Sequence, residues 1–199
     1  AIVYSYSADG SAWASAGALP YNTSSFTVTQ KVLNGRSFVF VAVQNGYDVI
    51  LLRGALTASG ALFDAPVTVF DGTGEQDNYS KPTMAFDEEG HLWLAAIYQS
   101  STTIFESYQA VTRRSAGFAD ASTLSFNGQE FVGRSTDTLS SALLTPRQGS
   151  SMYLLLSNDS PANIVGYLYN GTAWSEANTG GDSSWFRFGA NGGLNYLVN

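Results

Sequence analysis

Cysteine is missing from the 199 residues altogether. Its absence excludes a disulfide framework and a thiolate metal site. A single histidine, His91, rules out a metal site built from several histidines. A Ser-His-Asp site would also need a nucleophile elbow, and no Gly-x-Ser-x-Gly occurs. Charge is sparse at 13% of residues, and nine Lys and Arg against 16 Asp and Glu leave a formal net charge of -7. That balance argues against nucleic acid and anionic membranes as partners, since both need a basic face. No apolar run reaches the roughly 18 residues of a membrane-spanning helix, so no membrane insertion is expected. What is abundant is Ser, Thr, Asn and Gly, with aromatics at 14%. That composition is shared by secreted proteins and virion components, and a secreted or virion-surface location is expected.

The chain repeats itself four times, and self-similarity of this kind marks a repeat architecture. Each unit opens with a weakly apolar segment ending in glycine, at 26–35, 83–90, 142–149 and 185–193. A strongly apolar segment follows, at 37–43, 92–98, 152–156 and 194–198. After a polar turn comes a third, at 48–55, 103–110, 163–169 and 1–7. The fourth is opened by Trp13, Phe63, Phe118 or Trp174, aromatics spaced 50, 55 and 56 residues apart. Short runs rich in Val, Ile, Tyr, Phe and Trp, bounded by Gly, Asn, Asp and Ser, read as strands. No sustained helical period interrupts them, so the chain is predicted to be all-β.

Four antiparallel strands in up-and-down order make the blade of a β-propeller, and four units predict a four-bladed one. One repeat is split between the chain ends. The blades are accordingly placed at 185–199 plus 1–20, 26–70, 83–126 and 141–178, one domain whose ring closes by pairing of the N- and C-terminal half-blades. A β-sandwich with look-alike strands is the alternative.

Two hairpin segments support the propeller. Ser7-Ala8-Asp9-Gly10-Ser11-Ala12-Trp13 and Tyr169-Asn170-Gly171-Thr172-Ala173-Trp174 resemble the Asp-box of sialidase-like propellers, Ser-x-Asp-x-Gly-x-Thr-Trp. The first is one residue short of that pattern, and the second lacks its Ser and Asp. The resemblance implies a propeller in which the turn residue caps amides and the aromatic packs between blades. It carries no chemistry, because such hairpins serve enzymes and lectins alike. Trp13 and Trp174 are expected to be buried. The seven arginines fall in no carboxylate-gripping motif, and Asp87-Glu88-Glu89 sits in a turn before Gly90, where a solvated turn is the expectation. No catalytic residue is assigned.

The loops leading into the first strands hold the candidate ligand-binding set: Asn22 and Ser25; Asp77, Tyr79 and Ser80; Asp137 and Ser140; Asp182, Ser184 and Trp185. In each repeat an Asp or Asn is followed two or three residues later by Ser. Around a propeller axis these loops would converge, so that Asp77, Asp137 and Asp182 would suit Ca²⁺ or sugar hydroxyls, with Tyr79 and Trp185 offering flat surfaces. Local capping of turn amides accounts for the same repeat. Three functions remain open: a non-catalytic module recognising a glycan or cell-surface ligand, a virion or tail component that docks protein partners, and a glycoside hydrolase with two carboxylates in one cleft.

Overall fold

The computed structural model describes residues 1–7, 10–101, 106–136, 139–159, 162–177, 186–188 and 194–196. Among them every regular element is a strand. β1 (Ile2–Tyr6) and β2 (Ala14–Leu19) form a two-stranded hairpin. β3 (Phe26–Leu33), β4 (Arg36–Asn45), β5 (Asp48–Thr57) and β6 (Gly60–Phe63) form the next sheet in sequence order, and β7 (Val67–Phe70) also pairs with β5. β8 (Asp77–Phe86), β9 (Leu92–Ser101), β10 (Glu106–Arg114) and β11 (Glu130–Thr136) form another. β12 (Leu139–Pro146), β13 (Met152–Asp159), β14 (Ala162–Tyr169) and β15 (Trp174–Glu176) follow in the same order, and β16 (Phe186–Phe188) pairs with β17 (Leu194–Tyr196). All ladders are antiparallel and no sheet closes on itself.

Tight turns set the meander. Leu33 pairs with Arg36 across Asn34-Gly35, both with positive φ (48° and 73°), the conformation that favours Asn-Gly in a two-residue hairpin loop. The sheets then pack face on face through three apolar layers. The β1–β2 hairpin covers one face of the β3–β7 sheet through Leu19, Val41, Val43, Ile50 and Leu52. The other face of that sheet, with Phe40, Ala42, Val49 and Leu51, meets Phe86, Leu92, Leu94 and Val111 of the β8–β11 sheet. A third layer joins Trp93, Ala95 and Ile97 to Leu144, Leu154 and Leu156 of the β12–β15 sheet. Alternate residues of β4 and of β9 serve different layers. Strands buried on both faces lose the apolar-polar alternation, and this is why the second segments at 37–43 and 92–98 read as continuous apolar runs.

The strand bounds differ from the sequence expectation in one sheet above all. Its first strand begins at Asp77 rather than 83, because the register shifts between Ser80 and Thr83 and the irregularity accommodates Pro82. Its fourth strand is Glu130–Thr136, not the segment opened by Phe118. Residues 115–129 instead form an excursion tied down by the Ser115–Phe126 bridge and by Arg53, whose Nη1 donates to the carbonyls of Ala119 (3.0 Å) and Ala121 (2.6 Å). Phe118 lies on this excursion, beside His91 at a ring distance of 5.1 Å.

Trp174 packs where the resemblance places it. Its Nε1 donates to Thr112 Oγ1 on the adjacent sheet at 3.1 Å, and its ring meets Trp93 edge-on at 5.8 Å. Asn170 caps the turn before it, accepting from the amides of Thr172 (3.0 Å) and Ala173 (3.1 Å). Trp13 differs, being 71% exposed. β17 and β1, expected side by side, belong to separate two-stranded sheets. Residues 197–199, through which the last strand would continue towards Ala1, lie outside the described residues.

Candidate functional site

In each antiparallel sheet the first strand begins, the second ends and the third begins at one common end. Cross-sheet contacts bring these ends together. β8 packs between β3 and β12, and Lys81 links the three: its amide donates to Ser25 Oγ at 3.1 Å, and its Nζ to the Ser140 carbonyl at 2.5 Å. The Tyr47 carbonyl accepts from the Tyr79 amide at 2.9 Å at the same end. Asn34 to Asp120 (2.5 Å) and the Gly149 amide to Glu88 Oε2 (2.7 Å) join the sheets at the opposite end. The starts of three first strands therefore meet at Ser25, Lys81 and Ser140, of which Lys81 and Ser140 lie inside β8 and β12 rather than in the loops before them. Lys81 itself, a residue the repeat pattern did not single out, sits at their meeting point. The Pro that follows it was the available signal, since Pro inside a strand marks a bulge.

Hydroxyl and amide groups stand at this end beside the carboxylates of Asp48, Asp77 and Glu106, which begin β5, β8 and β10. Ser140 Oγ donates to the Ser157 carbonyl (3.1 Å), Ser141 and Ser157 share a hydroxyl contact at 2.5 Å, and Ser100 and Ser107 share one at 3.0 Å. Asn78 Nδ2 donates to Gln99 Oε1 at 3.1 Å. Asn22 accepts from the N-terminal ammonium at 3.5 Å, and Ser25 is capped by Thr23 Oγ1 at 3.0 Å.

The remaining expectations divide. Asp77 accepts locally from the Thr73 hydroxyl at 2.8 Å. Tyr79 is no ligand platform: it is buried, stacked on Phe70 at 5.3 Å, with its hydroxyl against Gln129. Asp137, Asp182, Ser184 and Trp185 lie outside the described residues. So two members of the expected carboxylate set for Ca²⁺ do as well.

Burial is the first cause that holds the phenols of Tyr79, Tyr98, Tyr108 and Tyr169 above their usual value, and carboxylates add to it: Asp77 at Tyr79 and Tyr98, Glu106 at Tyr108, Glu130 at Tyr169. A raised folded value favours the neutral phenol. Their contribution to stability is fully present below the unfolded phenol value near 10 and is lost as pH rises past it through the higher folded values. Urea unfolding at stepped alkaline pH, followed alongside phenolate absorbance, should show midpoints falling only above about pH 10. Titration of all the tyrosines at the ordinary value would contradict this.

At the opposite end the acidic turn is solvated at Glu88 and Glu89 but not at Asp87. Asp87 is 1% exposed. Its carboxylate accepts from the His91 amide (2.8 Å), Trp93 Nε1 (3.0 Å) and Arg114 Nε and Nη2 (3.1 and 2.9 Å). Ligand atoms of Asp87, Glu89 and His91 lie within 4.8 Å of one another, the spacing of a metal triad. A guanidinium fills it, because Arg114 Nη2 also reaches Glu89 Oε2 at 2.9 Å and His91 Nδ1 at 2.8 Å. Arginine only donates, so Nδ1 is the acceptor here. The sequence hid this arrangement because Arg114 is 27 residues from Asp87.

One cavity of about 570 Å³ lies between the β1–β2 hairpin and the β3–β7 sheet, lined by Tyr4, Tyr6, Phe26, Val28, Leu56 and Phe63 among others. It is apolar and holds no convergent acid-base pair. No family model, curated protein or solved structure matches this chain.

Proposed function

We propose that the chain is a four-bladed β-propeller acting as a non-catalytic recognition module, and that it binds a glycan at the end where the first strands begin. The observation that carries the reading is the meeting of three first strands at Lys81, on a surface of serine hydroxyls and side-chain amides. Groups of this kind pair with sugar hydroxyls without the desolvation cost of several buried charges. Tyr47, 43% exposed in the loop between β4 and β5, supplies a flat ring at the same end.

The propeller itself is supported by the sequence of apolar layers. β1–β2 packs on one face of the β3–β7 sheet, yet Phe26, Val28 and Val32 alternate along β3 on that same face and remain 45%, 53% and 59% exposed. Leu143 on β12 is 47% exposed on the face turned away from the β8–β11 sheet. A fourth blade made of β16–β17 beside β1–β2 would cover both.

A glycan array with the purified chain tests the binding reading. We expect retention of at least one glycan class. Tyr47→Ala and Ser141→Ala should each weaken it roughly five- to tenfold, about 1–1.4 kcal/mol, with unchanged thermal unfolding. Arg147→Ala at the opposite end should leave it intact. No retained glycan, or retention indifferent to both variants, would defeat the proposal.

A further inference from the structure

We infer that the ligand bound at this end carries an anionic group, a carboxylate or a sulfate, and that Lys81 is the residue that selects it. The inference rests on the glycan-recognition reading and narrows it to acidic glycans.

Backbone conformation is the first ground. Among the described residues only Asn34 and Lys81 are non-glycines with positive φ. Asn34 occupies a hairpin turn that favours asparagine there. Lys81, at φ 50°, stands in the bulge between Ser80 and Thr83, and a lysine there gains nothing from the left-handed region because its Cβ is crowded by it. Strain of this kind is retained where surrounding structure enforces it, and it concentrates at binding sites.

The disposition of charge is the second. Among the described residues the ion pairs are made by Arg53 and Arg114. Lys31, Arg36 and Arg147 lie over the rings of Phe86, Phe38 and Tyr153. Arg113 is bound by the carbonyls of Asn127 and Val69. Lys81 is exposed, pairs with no described carboxylate, and spends one of its three N–H donors on the Ser140 carbonyl. Two donors and a full charge are thus presented at the meeting point of three strands, flanked by Ser25 Oγ, which accepts from the Lys81 amide and keeps its own proton for a ligand oxygen.

The net charge of -7 works against an anion at long range. Screening over about 8 Å at physiological ionic strength confines that repulsion, whereas a charge-assisted hydrogen bond at contact distance is roughly twice as strong as a neutral one. The contact decides.

The test is a glycan array with matched acidic and neutral members, followed by titration calorimetry on the full chain with an oligogalacturonide and its methyl ester of equal length. The acid should bind at least about tenfold tighter than the ester, a difference that shrinks as salt is raised. Lys81→Gly removes the charge together with the Cβ that disfavours positive φ, so the domain should stay folded while the preference disappears; Lys81→Arg should keep it. Array hits confined to neutral glycans, or a preference for acid that survives Lys81→Gly, would overturn this inference and leave glycan recognition standing. An array with no hits at all would overturn both.

Discussion

Asp87→Ala is expected to destabilise the domain by about 3 kcal/mol or more, the cost of leaving a partly buried guanidinium without its fully buried counter-charge. The carboxylate has no exposed side-chain surface and serves four donors: two from Arg114, the indole of Trp93 and the His91 amide. Removing it leaves all four to find other partners in a site that water reaches poorly. Glu89 can hold only one guanidinium nitrogen from its exposed position. Trp93 is also the ring against which Tyr169 (4.7 Å) and Trp174 (5.8 Å) pack edge-on, so the loss propagates into the layer between two sheets. For a chain of this size the melting temperature should fall by roughly 6–20 °C. Replacing the pair as Asp87→Ala with Arg114→Met should recover much of it, because the stranded charge is then gone. Guanidinium unfolding curves for the three proteins settle the matter: a single variant within about 1 kcal/mol of the parent would show that the carboxylate is not structurally committed.

Deleting residues 1–7 is expected to cost a comparable 3–5 kcal/mol, about half from two partly buried side chains and the rest from ladder hydrogen bonds. β1 pairs with β2 from Ile2–Leu19 to Tyr6–Ala14, and Ile2 and Tyr4 pack against the layer of Leu19, Val41 and Ile50. Tyr4 also meets Phe63 edge-on at 5.6 Å. Without β1 that apolar face opens to water and the edge of β2 is bare, which favours aggregation. A disordered tail of the same length would cost nothing measurable. Amide exchange adds the decisive contrast for ring closure. If the last strand lies beside β1, the deletion should strip protection from 194–198 while leaving β8–β11 protected. Unchanged exchange at 194–198 would rule out that pairing.

Much of the fold was legible because its cause is local. β4 and β9 are buried on both faces and so announce themselves as apolar runs, and Asn34-Gly35 needs no tertiary information to be a turn. Bounds failed where a local rule was overridden. The first segment was placed from Thr83, and a bulge carried β8 back through Pro82 to Asp77. Phe118 matched the repeat spacing, but an aromatic at the right interval says nothing about whether its neighbours are hydrogen-bonded.

The candidate site was legible only in outline. The spacing of Ser25, Ser80 and Ser140 ahead of each first strand indicated convergence without showing what would stand at its centre. That Asp77 turns back to Thr73, and that Tyr79 stacks on Phe70 inside the protein, depends on partners chosen by packing.

The sequence by itself determined an all-β chain and excluded a metal site of cysteines or of several histidines, because composition and periodicity act residue by residue. Only the tertiary structure decided which charges are paired. It placed Arg114 against Asp87 across 27 residues and left Lys81 exposed between three strands, since the pairing of a charge depends on what folding brings within hydrogen-bond distance of it.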